Sequence, residues 1–131
     1  MPDAAPPLKT PPVHTLLKRA QFLATARGQR RATPGFVLQA RARPDKDGPD
    51  QVHIGVGITC SRKVGNAVAR NRAKRRLRAL ARSVVPRLGR PGWDYVLIGR
   101  TGETARRDFA TLERELGAAL TALHTPGRKR P

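Results

Sequence analysis

Eleven Lys and Arg residues, at positions 62, 63, 70, 72, 74, 75, 76, 78, 82, 87 and 90, fall between Gln51 and Trp93, a stretch that holds no Asp or Glu. Cations four residues apart on a helix repel, and no carboxylate is interleaved here to relieve them. An external anion must therefore offset the repulsion. The dominance of Arg over Lys points to phosphate, because a planar guanidinium can bridge two oxygens of one group. At about 100° per residue, Arg70, Lys74, Arg75, Arg78 and Arg82 sweep one arc beside the apolar stripe, with Arg72 and Arg76 on its other flank. Over the whole chain 27 Lys and Arg face 9 Asp and Glu, a formal charge of +18. A folded, phosphate-rich RNA is the expected partner. Such a helix could also lie on anionic lipid, but an Ala-rich stripe flanked by strands suits a core-facing helix better.

Other chemistry is poorly supplied. His14, His53 and His124 are scattered, with no carboxylate pair or nucleophile beside them, so no acid–base machinery is evident. The single cysteine, Cys60, cannot form an intrachain disulfide, no zinc-ligand spacing occurs, and its parity in a strand reads as a small core residue. The five aromatic rings, Phe22, Phe36, Trp93, Tyr95 and Phe109, do not interleave as a base-stacking platform would. Recognition through backbone and shape is expected, with Phe22, beside Arg19, the ring open to a ligand contact as well as to the core.

The elements that must carry these residues can be read from periodicity. A length of 131 residues suits one domain, and an apolar share of 38%, ordinary once glycine is counted, excludes disorder throughout. Residues 1–14 are expected to form a disordered proline-rich tail, 15–124 an RNA-binding domain, and 125–131 a basic disordered tail. Helices are expected from Leu16 to about Arg27, ended by Gly28; from Asn66 to about Leu88, with the stripe Ala73, Leu77, Leu80, Ala81, Val84 and Leu88; and from Ala105 through Phe109, Leu112, Leu116 and Ala119 to Leu123. Phe36–Arg43 alternates, as does His53–Cys60, and the turn-rich segment between them predicts an antiparallel hairpin. Gly55 and Gly57 strip one face of the second strand, letting a helix or a ligand backbone come close, packing being the favoured reason. The run Tyr95–Ile98 suits an interior strand covered on both faces. No segment approaches the roughly 18 apolar residues of a membrane span, and no signal-peptide core is present, so no membrane role and a cytoplasmic address are expected.

The fifteen residues from Ser61 to Arg75, SRKVGNAVARNRAKR, with Arg70-Asn71-Arg72 at their heart, resemble the signature of the bacterial ribonuclease P protein family. The resemblance extends from about Leu17 to Leu123 and takes in Lys18-Arg19 with Phe22, Gly35–Leu38, Gly55–Cys60 and Asp94–Ile98. It implies an α+β fold with a small, mainly antiparallel sheet and three helices, ribosomal-protein S5 domain 2-like, with a left-handed βαβ crossover against the usual preference. It implies a noncatalytic protein subunit of an endoribonuclease that removes the 5′ leader of precursor tRNA. The chemistry belongs to the RNA subunit and its Mg2+ ions, and one protein joins each RNA. Arg62, Lys63, Asn66, Arg70, Asn71, Arg72, Lys74, Arg75 and Arg78 are thereby assigned to the catalytic RNA, and Phe22, Val37, Gln39 and Arg41 to a cleft for the single-stranded leader. Two positions depart from the family pattern: Ala26 and Gln39 stand where aromatic rings are common. Without the resemblance, the residues alone leave two other readings open: an RNA-binding protein of purely structural role, such as a ribosomal component, and a self-sufficient nuclease.

Overall fold

The computed structural model describes residues 11–44, 52–60, 63, 65–100 and 102–125. In chain order the elements are β1 (Val13–Thr15), α1 (Arg19–Ala26), β2 (Gln29–Ala32), β3 (Phe36–Ala42), β4 (Ile54–Cys60), α2 (Ala67–Leu88), β5 (Trp93–Gly99), α3 (Glu103–Arg106) and α4 (Phe109–His124). β1 begins at Val13, inside the stretch assigned to the proline-rich tail. Residues 1–10 and 126–131 lie outside the described residues.

The five strands form one sheet in the order β1-β4-β5-β3-β2. β4 runs parallel to β1 and β5, while β3 runs antiparallel to β5 and β2. The sheet departs from the sequence expectation in two ways. The sheet is evenly mixed rather than mainly antiparallel, and β3 and β4 form no hairpin, because β5 lies between them. The physical reason is the two-sided burial of β5: Tyr95, Val96 and Leu97 are each at most 1% exposed, and a central position gives such a run a partner along both edges.

α2 and α4 cover one face, packing on Phe36, Leu38 and Ala40 of β3, Ile54 and Val56 of β4, and Tyr95 and Leu97 of β5. The alternation of β3 and β4 thus has the expected parity. α1 lies on the opposite face, where glycine makes room for it: a Cβ on Gly57 would sit 2.5 Å from Cε1 of Phe22, and one on Gly55 would collide with Asp94 and Leu16. α1 starts three residues later than its apolar spacing suggests, because the Gln21 side chain accepts hydrogen bonds from the Leu17 and Lys18 amides at 3.0 and 2.9 Å and so caps the helix there.

α2 is capped by Asn66, whose Oδ1 accepts from the Ala69 amide at 2.9 Å. Its buried stripe is the expected one with Val85 in place of Leu88, which is exposed, and Pro86 sits in the last turn without ending it. The last expected helix is two, making four in all rather than three. The chain breaks between α3 and α4 at Arg107, whose guanidinium binds Glu103 at 2.8 Å and Glu115 at 3.0 Å. The break lets buried Thr104 donate its hydroxyl to the Gly35 carbonyl at 2.6 Å, fixing α3 to the start of β3.

The end of α4 is locked to β5. The Tyr95 hydroxyl accepts from the Arg90 amide at 2.9 Å and shares a hydrogen bond with Nε2 of His124 at 2.6 Å, while the edge of Trp93 meets the same imidazole at 4.5 Å. Burial, and then the charge of Arg90, lower the His124 pKa to about 4. Burial raises that of Tyr95 to about 12. An unfolded imidazole titrates near 6.5, so between about pH 6.5 and 4 the unfolded chain takes up a proton that the folded chain refuses. Stability is therefore expected to fall on acidification through that window, by about 2 kcal/mol once the ring's partial exposure is allowed for. Urea melts at pH 7 and pH 4 check this: the parent should lose more than His124→Gln does, and equal losses would contradict it.

Candidate RNA interface

α2 carries its cations on the side turned from the core. Asn71, Arg72, Arg75, Arg78 and Arg82 are exposed, and Arg70 and Lys74 are half-buried. Among the described residues, Arg72, Arg75, Arg78 and Arg82 meet no carboxylate. Four of the described carboxylates have other partners. Asp94 holds Arg41 and Arg43, Glu103 and Glu115 hold Arg107, and Glu113 accepts from Ser83. Among the described residues the acids thus sit on β5, α3 and α4, with Asp108 between the last two, and leave these four arginines of α2 unneutralised, an arrangement that raises the attraction of that surface for a polyanion.

The residues assigned to the catalytic RNA differ in their local duties. Asn66 is the N-cap described above. Arg70 donates to the Gly65 carbonyl at 2.8 Å, tying the helix to a glycine held at φ 141°, a conformation that disfavours any other residue. Lys63 is exposed just ahead of the helix, and Arg62 lies outside the described residues. Arg76, absent from the assigned set, donates to the Arg107 carbonyl and lies 5.9 Å over the Phe109 ring, joining α2 to the α3–α4 break. There Arg72, Arg75, Arg76 and Arg82 line a groove of about 460 Å³ with Ala105 and Phe109. Sequence spacing puts Arg82 on the cationic arc, but nothing in it tells a groove from a convex surface.

On the other side of the sheet, α1 and the strands enclose a cleft of about 520 Å³. Phe22, Leu23 and Ala26 of α1 face Gln39, Thr59 and Val96 of the strands, with Arg19 also in the wall. The structure therefore brings Phe22 and Gln39 together. Val37 and Arg41 do not line this cavity: Val37 is buried, and Arg41 is paired with Asp94 at 3.3 Å. Leu23, Thr59 and Val96 are not singled out by the sequence, although Thr59 shares the strand parity of Gly57 and could be found from it. The two departures from the family pattern, Ala26 and Gln39, both lie in the wall, so small and amide side chains leave Phe22 as the one aromatic surface there.

Comparison with known proteins gives a single answer. The family model for ribonuclease P matches residues 11–124. A ribonuclease P protein component of Ruegeria pomeroyi is 52% identical over 126 residues, covering 96% of this chain and 98% of that one; one from Erythrobacter litoralis is 48% identical over 103 residues, covering 79% of each. The solved structure of the Thermotoga maritima ribonuclease P protein superposes with a TM-score of 0.67 at 27% identity, covering 86% of this chain and 99% of that one. The Staphylococcus aureus protein gives 0.64 at 25% identity, covering 85% and 95%. The cationic helix, the cleft behind α1 and these matches agree, and the chain belongs to the ribonuclease P protein component family.

Proposed function

We propose that α2 grips the catalytic RNA through Arg62, Lys63, Asn66, Arg70, Asn71, Arg72, Lys74, Arg75 and Arg78, while Phe22 and Gln39, with Val37 and Arg41 beside them, hold the single-stranded 5′ leader. As a member of its family the chain is the protein subunit of the tRNA 5′-maturation ribonucleoprotein, an endoribonuclease, and its partners are the ribonuclease P RNA and precursor tRNA. The observation that carries the residue-level reading is the α2 surface, where exposed guanidiniums meet no carboxylate. Such a surface can sit between two RNAs that would otherwise repel, and so hold the leader with its scissile phosphate at the RNA active site.

Mg2+ belongs in this reading to the RNA subunit. Among the described residues no group of three or more His, Cys, Asp or Glu could hold a metal, and the carboxylates of Asp94, Glu103 and Glu115 already face arginines. These side chains do not fit a Mg2+ site, which wants several free oxygens. The proposal further includes one protein per RNA, a left-handed β4–α2–β5 crossover and ribosomal-protein S5 likeness as the resemblance implies, and a cytoplasmic address. No helix among the described residues is long and apolar enough to cross a membrane.

Reconstitution tests the assignment. With ribonuclease P RNA at low Mg2+, the protein should increase 5′ cleavage of precursor tRNA, and the protein alone should cleave nothing. Phe22→Ala should weaken binding of leader-bearing substrate by at least about tenfold, the worth of one stacked base, and leave mature tRNA affinity unchanged. Equal losses for both would remove the leader role.

A further inference from the structure

β1 is short, and its end opens the edge of the sheet. Its register with β4 stops at Thr15 opposite Val56, and the Leu16 amide makes the last bond, to the Val56 carbonyl at 2.9 Å. The chain then turns into α1, so no described strand borders Gly57–Cys60 of β4 on that side. With α1 on one face of the sheet and α2 on the other, the two layers gape where the strand ends. The gap is a cavity of about 400 Å³, walled by Leu16, Phe22, Val56, Ile58 and Ala81, with Thr15, Arg78 and Arg82 also lining it. Phe22 and Ile58 are walls of the leader cleft as well, so the two cavities meet across the Phe22 ring.

We infer that this second cavity is a slot for one nucleotide of the same RNA strand, taken up after that strand has crossed the cleft; the inference rests on the leader-cleft reading above. Its chemistry selects that occupant. The aromatic and aliphatic walls suit a base, because every base presents a π-face to a ring. Arg78 and Arg82, one helical turn apart and exposed with no carboxylate partner, supply two forks for the flanking phosphates. An apolar peptide side chain would leave both guanidiniums uncompensated. α2 is thereby divided between two RNAs: Arg70 to Arg75 serve the catalytic RNA, Arg82 serves the substrate strand, and Arg78, assigned above to the catalytic RNA, stands at the boundary and reaches both.

The test uses the full chain bound to ribonuclease P RNA and a set of precursor tRNAs whose leaders lengthen one nucleotide at a time. Affinity should rise in two steps, the first for the cleft and the second for the slot. Thr15→Trp, which fills the slot from an exposed strand position, and Arg82→Ala should each abolish the second step, about tenfold. Each should keep the first step and the affinity for the catalytic RNA. Phe22→Ala, which alters both walls, should lose both steps. A single step in the parent, or two steps retained in both variants, overturns the slot. So does a loss of catalytic-RNA affinity in Arg82→Ala, which would give that arginine to the other RNA. If Phe22→Ala keeps the first step, the cleft reading itself has failed. If Phe22→Ala loses it while the two slot variants lose nothing, only the slot has failed.

Discussion

Asp94→Ala is expected to destabilise the domain by about 3–5 kcal/mol, the effect of removing one member of a buried ion pair. The carboxylate is 1% exposed and accepts from Arg41 at 3.3 Å and Arg43 at 2.6 Å. Arg43 in turn donates to the Trp93 and His53 carbonyls at 3.2 and 2.5 Å. Asp94 therefore links the end of β3 to β4 and β5, above a position where only glycine fits. Without it, the half-buried guanidiniums of Arg41 and Arg43 lose the carboxylate that they share. A domain of this size is stable by about 5–15 kcal/mol, so urea denaturation should show a midpoint drop that is hard to miss. Asp94→Asn, which keeps an oxygen acceptor and loses the charge, should fall between parent and Ala. A loss under about 1 kcal/mol would mean that water screens the pair as it does at a surface.

Arg72→Ala combined with Arg75→Ala should act in the opposite sense on stability and strongly on binding. Both side chains are exposed and meet no carboxylate, so truncation relieves like-charge repulsion, and the thermal midpoint should hold or rise. Affinity for ribonuclease P RNA should fall by about a hundredfold to ten-thousandfold, since hydrogen bonds to charged groups contribute about 1.5–3 kcal/mol each and two are lost. The slope of log affinity against log salt should shrink by about 1.4–1.8, at about 0.7–0.9 for each phosphate no longer neutralised. An unchanged slope would remove these two arginines from the interface. Arg70→Ala is a less clean probe, because its bond to the Gly65 carbonyl mixes loop order with charge.

The sequence makes some of this legible and hides the rest for identifiable reasons. α2 and β5 are readable because each has a strong internal signal: twenty-two residues of helical stripe ended by Gly89 in one, and a continuous apolar run in the other. β1 and β2 are not. Val13-His14-Thr15 sits behind prolines and is exposed along its length, and Gln29–Ala32 is exposed throughout with no alternating apolar partner, so neither carries the period of a half-buried strand. The α3–α4 break is invisible because Ala105 and Phe109 stay four apart across it, while the cause of the break, Arg107 bridging two glutamates, is a tertiary contact. The hairpin expectation fails because turn-rich residues between two alternating strands signal a reversal of the chain but not which strand later enters between them. At the site, charge places α2 correctly, whereas the cleft rests on which side of the sheet α1 takes, and that depends on two glycines and one ring meeting at a distance.

The central place of β5 has a consequence for how the chain is made. Its pairing with β3 joins residues as far apart as Phe36 and Gly99, so on the ribosome neither β3 nor β4 meets its central neighbour, β5, until the last third of the chain has been synthesised. The short β2–β3 hairpin that could close earlier is too small to persist alone, and contacts of such long sequence separation slow folding. A polycationic nascent segment, α2 included, therefore emerges ahead of the strand that anchors it. Truncations ending before Gly99 should behave as unfolded basic chains, and the interval before β5 appears is when this protein is most exposed to indiscriminate capture by the ribosome's own RNA.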